Sequence, residues 1–126
     1  MKKLIATFAC AIIAASTAFA GEYPDVSVKK LQELIEAKKV VVLDVNGTKS
    51  YERGHVPGAI DFAANSKNID EILAKASGGD KEIMVVAYCG GPSCSAYKKG
   101  ASAAEKAGFT NVKHLSAGIS GWLQAG

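Results

Sequence analysis

Histidine, cysteine and excess charge are all scarce in this chain. Its 126 residues hold two histidines and three cysteines, and the formal net charge is only +3. His55 and His114 are dispersed, and with two neighbouring cysteines they form no closed ligand set at a recognisable spacing, which argues against a metal site. A charge this small, with no basic stripe, gives no reason to expect nucleic acid or an anionic membrane as a partner. Cys89 and Cys94 stand five positions apart, too close to form a framework for the fold, so they belong to one local site. Internal repeats and low-complexity stretches are absent, which sets repeat arrays aside.

One long apolar run is present, at residues 4–20, and it is short for a membrane span, which needs about 20 apolar residues. Met1-Lys2-Lys3 gives it a basic start, and Ala18-Phe19-Ala20 closes it with small residues at both positions a signal peptidase reads. The pattern is that of a secretory signal peptide at residues 1–20, cleaved after Ala20, rather than a retained anchor. Cys10 lies mid-run, too early for a lipid-attachment site, and leaves with the signal. The expected mature protein is one domain, residues 21–126, periplasmic or secreted and free of the membrane after cleavage. In an oxidising periplasm a disulfide between Cys89 and Cys94 is allowed but not required.

Beyond the signal, strand and helix patterns alternate. Val28, Leu31, Leu34 and Ile35 share one helical face, with Ser27 placed as the cap. Residues 40–45 (VVVLDV, apolar but for Asp44) and 83–88 (IMVVAY) are non-alternating runs, the mark of strands buried on both faces. Residues 59–63 make a weaker strand. Ile69, Ile72, Leu73 and Ala76 form a second helical stripe that Gly78-Gly79 ends. Residues 95–107 read as a helix that Gly100 weakens; 112–115 form a short last strand, and 119–123 a closing helical turn. Such alternation predicts an α/β fold with a mostly parallel sheet covered by helices, whose ligands bind beyond the carboxyl ends of the strands.

Cys89-Gly90-Gly91-Pro92-Ser93-Cys94-Ser95 follows the second buried strand and precedes a helix. A glycine-rich strand-to-helix turn can aim several N–H groups at one centre, and the helix dipole adds positive potential there. A Cys89 thiolate in such a bowl is a stronger nucleophile at neutral pH, and a Cys89 persulfide would reach further into it. Cys89 is therefore the candidate catalytic residue, at a strand end where side chains face solvent. Gly90, Gly91, Ser93, Cys94 and Ser95 are the candidate substrate-binding residues. The competing reading makes Cys89 a buried structural cysteine and the glycines simple turn formers.

Leu43-Asp44-Val45, Tyr51-Glu52 and Gly54-His55-Val56-Pro57-Gly58-Ala59-Ile60, followed by the Cys89–Ser95 loop and by Gly108, Phe109, Val112, Gly118 and Trp122, resemble the rhodaneses in order and spacing over residues 24–123. The resemblance implies a five-stranded parallel sheet with helices on both faces. It also implies sulfur transfer through a persulfide on Cys89, from a small sulfur-containing donor to a thiol or cyanide-like acceptor, with no cofactor. Asp44 and His55 match positions that support the fold around the site.

Three positions depart from that family's pattern. Asn46 replaces an arginine after Asp-Val. Pro92, which has no N–H, replaces a loop glycine. Cys94 stands where thiosulfate-using members often carry an arginine that would help bind a dianion. The missing arginine at Cys94 favours polysulfide or small persulfides over thiosulfate as donor. Cys94 is either a resolving thiol for Cys89 or a small residue in the first turn of the helix. The leading reading is a periplasmic sulfurtransferase. Its alternatives are a thiol–disulfide redox protein using both cysteines and a non-catalytic binding module.

Overall fold

The computed structural model describes residues 23–125, so the expected signal peptide lies outside the described residues. In chain order the elements are α1 (Val28–Glu36), β1 (Val40–Asp44), α2 (Thr48–Arg53), β2 (Ile60–Asp61), α3 (Phe62–Asn65), a 3-10 turn at Ser66–Asn68, α4 (Ile69–Ser77), β3 (Met84–Tyr88), α5 (Tyr97–Lys106), β4 (Val112–His114) and α6 (Gly118–Ala125). The sheet has the order β2-β1-β3-β4 and every pairing is parallel.

The two apolar runs become the central strands because only there are both faces covered. Alternate side chains point to opposite faces. Val41, Leu43, Val85 and Ala87 meet Leu73 of α4 and Ala101 and Ala104 of α5. Val42, Val86 and Tyr88 meet Leu31 of α1 and, at the margin, Ile119 and Trp122 of α6. Leu31 is fully buried, and truncating it to alanine should cost about 2–5 kcal/mol. Helices thus cover both faces, as the resemblance implied.

Four strands form among the described residues, where five were expected. Beside β4 the fifth place is taken by a single parallel bridge, Asp25 to His114. Val26 N–H donates to His114 O at 2.8 Å and His114 N–H to Pro24 O at 2.9 Å. Pro24 has no N–H to extend the ladder. On the other side Ser27 already caps α1, its hydroxyl accepting from Lys30 N–H at 3.0 Å. The weak strand at 59–63 shortens to two residues because the Asp61 side chain accepts from Ala64 N–H at 3.4 Å and starts α3.

Gly100, which lowers the helical propensity of α5, is a packing requirement. A Cβ there would sit 2.8 Å from Val45 Cγ2, so α5 approaches the end of β1 only because the position lacks a side chain. That approach brings the middle of α5 against the end of β1, on the same face of the sheet as Leu43.

Candidate active site

The segments leaving β1 and β3 start from paired residues, Asp44 opposite Tyr88, so their first residues emerge side by side. Cys89 directly follows β3 and is joined to Cys94 in a disulfide with Cα atoms 6.3 Å apart. That separation lies within the range a disulfide spans, which the sequence had left open. The expectation that Cys89 faces solvent does not hold. Its exposure is 1 %, and it belongs to the core cluster with Val85, Ala87 and Tyr97, because the loop folds back over it. Cys94, packed at the margin of that cluster, is only half-buried.

Most of the loop's anchoring comes from far along the chain. Ile119 N–H donates to Cys89 O at 2.9 Å and Ser120 N–H to Gly90 O at 3.1 Å, so the start of α6 grips the start of the loop. Gly118, at φ +65°, makes this possible: a Cβ there would fall 2.6 Å from Gly91 N. Within the loop, Cys94 N–H turns back to Gly91 O at 3.1 Å, closing a turn over Pro92 and Ser93. In this disulfide form that amide is engaged in the turn rather than with the Cys89 sulfur. The helix begins at Tyr97 rather than at Ser95. Lys98 N–H and Lys99 N–H bond Ser95 O and Ala96 O at 3.1 and 3.0 Å, a tight 3-10-type entry. Gly90 and Gly91 are half-buried against α6, while Ser93 and Ser95 lie exposed on the rim.

Asp44 is fully buried, and its carboxylate accepts from Tyr88 OH at 2.6 Å and Asn46 N–H at 2.9 Å. Tyr88 OH accepts in turn from Val56 N–H at 3.0 Å. The residue before Cys89 is thereby fixed to both ends of the Asp44–Val56 segment. Burial, then the Asp44 hydrogen bond, push the Tyr88 hydroxyl far above its ordinary pKa, so it stays a neutral donor. Sequence reasoning missed Tyr88, because its pairing with Asp44 is a matter of strand register. His55 is exposed; its ring stacks on Tyr51 at 3.7 Å between centroids and its Nδ1 lies 2.8 Å from Tyr51 O. Tyr51 OH bonds Ala59 O at 2.7 Å, so His55 braces the same segment at its surface.

Asn46 is half-buried beside the loop, with Oδ1 3.8 Å from the place a Gly90 Cβ would take and with a buried Nδ2 that has no partner. No cluster of three or more potential metal-ligating side chains occurs among the described residues. The arrangement offers one buried and one half-exposed sulfur in a loop gripped from outside, which suits two-step chemistry at sulfur.

Residues 27–125 match the Rhodanese-like domain family. The thiosulfate sulfurtransferase GlpE of Shewanella oneidensis is 32% identical over 105 residues, 83% of this chain and 97% of that protein. Two sulfurtransferases are among the solved structures that share the fold. A thiosulfate sulfurtransferase from Pseudomonas aeruginosa has a TM-score of 0.64 and 24% identity, over 82% of this chain and 19% of that one. The human single-domain sulfurtransferase has a TM-score of 0.62 and 18% identity, over 82% and 97%. A match running through nearly every described residue, on a sheet of the same fold, means that this chain belongs to the rhodanese-like domain family.

Proposed function

We propose that the chain is an exported sulfurtransferase that carries sulfane sulfur as a persulfide on Cys89. The observation that supports this most is the placing of Cys89. It is the first residue past β3, anchored by α6, at the carboxyl end of parallel strands where ligands of such sheets bind. The protein is a sulfurtransferase of the rhodanese type, as its relatives are named. Once the disulfide is reduced, the Cys89 thiolate attacks a sulfane sulfur of the donor. The donor's S–S bond breaks, the donor leaves one sulfur shorter, and Cys89 holds a persulfide. A thiol or cyanide-like acceptor then attacks the terminal sulfur and returns the thiolate.

Two of the relatives are named for thiosulfate. Here Cys94 puts no cation where thiosulfate-using members often carry arginine, so a polysulfide or a small persulfide is the favoured donor. Cys94→Arg should then raise turnover of thiosulfate; no gain in a folded variant would sink this donor assignment. Export rests on residues 1–20, and the check is an N-terminus at Gly21 in protein recovered from the periplasm.

The central test uses reduced Cys94→Ser exposed to polysulfide and weighed intact. One added sulfur, stripped by cyanide and never gained when Cys89→Ser is also present, is expected. No added sulfur on a folded Cys94→Ser protein would end the proposal. The disulfide favours a second reading, a thiol–disulfide redox protein, which that negative result would put first.

A further inference from the structure

We propose that Cys94 is a resolving thiol, so that the loop releases its sulfur as hydrosulfide and closes the disulfide seen here. This deepens the persulfide reading and rests on it. The two sulfurs already meet, and the Cα atoms stand 6.3 Å apart with the loop's own turn, Cys94 N–H to Gly91 O, intact. With the disulfide closed, α6 still holds the loop's first residues, through Ile119 N–H on Cys89 O and Ser120 N–H on Gly90 O.

The step balances. The Cys94 proton passes to the terminal sulfur of the Cys89 persulfide, and the Cys94 thiolate attacks Cys89 Sγ. The Sγ–S bond breaks and the Cys89–Cys94 bond forms. The terminal sulfur is reduced by two electrons and departs as HS⁻, while the two cysteines are oxidised to the disulfide. Resetting the loop requires a reductant, which we assign to a dithiol protein of the same compartment. Cys89 is 1 % exposed and Cys94 half-buried, so the incoming thiolate reaches Cys94 Sγ and Cys89 leaves as the thiolate. The reductant's second thiol then frees Cys94. Such a cycle places the protein between a reaction that supplies sulfane sulfur and one that consumes sulfide.

The test is a single turnover of reduced wild-type protein with one equivalent of polysulfide and no free thiol, followed by intact mass and sulfide assay. Wild type should lose two hydrogens and release close to one equivalent of hydrosulfide more than Cys94→Ser, which keeps its added sulfur and yields only what the shortened donor supplies. Wild type that keeps its sulfur as long as Cys94→Ser does would overturn the proposal and leave sulfur carriage standing. Failure of Cys94→Ser to take up sulfur would remove the persulfide reading and this proposal together. Brief treatment of the oxidised protein with a small monothiol, quenched in acid, should place the adduct on Cys94; an adduct on Cys89 would overturn the order of attack.

Discussion

The segment after β1 and the segment after β3 leave the sheet side by side, yet they are fastened by different kinds of bond. The first is held by a buried polar network in which Asp44 accepts from Tyr88 and Asn46 while Tyr88 accepts from Val56. Nothing in that network responds to oxidants or thiols. The second is held by main-chain bonds from α6 and by a disulfide that a thiolate can open. One wall of the site is thus permanent and the other is redox-dependent, so the cysteine loop can cycle while the strands beneath it stay in place. Stability and reactivity reside in different bonds, although those bonds begin at neighbouring residues.

The sharpest way to test that separation is to remove the permanent wall. Asp44→Ala leaves the buried Tyr88 hydroxyl without its acceptor and should lower stability by about 3 kcal/mol. The loss, read from urea unfolding, should be the same with and without reductant. A loss that appears only in reductant would show that the two walls are one. Opening the other wall should cost less. By chain entropy a loop this short gives a disulfide worth about 2 kcal/mol. Cys94→Ser should therefore fall below wild type by that amount without reductant and match it in excess dithiothreitol. If the double variant departs from the sum of the two by more than about 0.5 kcal/mol, the walls are coupled.

The permanent parts of this molecule were largely legible in the sequence, and the redox-dependent part only in outline. Residues 40–45, apolar but for Asp44, and 83–88 announce central strands because a run without polar–apolar alternation has to be covered on both faces. Ser27 and Gly78 mark helix ends through local chemistry alone. α2 carried no such signal, since none of its residues is buried. The Cys89 loop was visible as a motif. Its burial was not, because the loop that folds back over it is tied down by Ile119 and Ser120, far along the chain. Tyr88 stayed hidden for the same reason: what it does depends on lying opposite Asp44, and register is a property of the pair.

The smallest expected effect comes from acid, and it should fall on the cysteine side alone. His114, in β4, is 8 % exposed, its ring stacked on Tyr97 at 3.4 Å between centroids and its Nε2 buried without a partner. Tyr97 opens α5, the helix into which the cysteine loop runs. Burial lowers the pKa of His114, Asp25 pulls it back up, and Lys98 lowers it further. The folded protein therefore binds this proton less readily than the unfolded chain, whose histidine titrates near 6.5. Above that pH both states are neutral at this site and it contributes nothing to pH dependence. As the pH falls from about 6.5 through the lowered folded value, the unfolded chain takes up the proton first, and stability declines. His114→Phe keeps the stacking and removes the charge, so it should flatten the stability profile over that window. Amide protection factors, corrected for the intrinsic pH dependence of exchange, should fall in that window in β4 and the first turn of α5 while the Asp44, Tyr88 and Val56 segment keeps its own. An equal loss of protection in both regions would mean that the permanent wall answers to pH as well, and the contrast between the two loops would then hold for redox chemistry only.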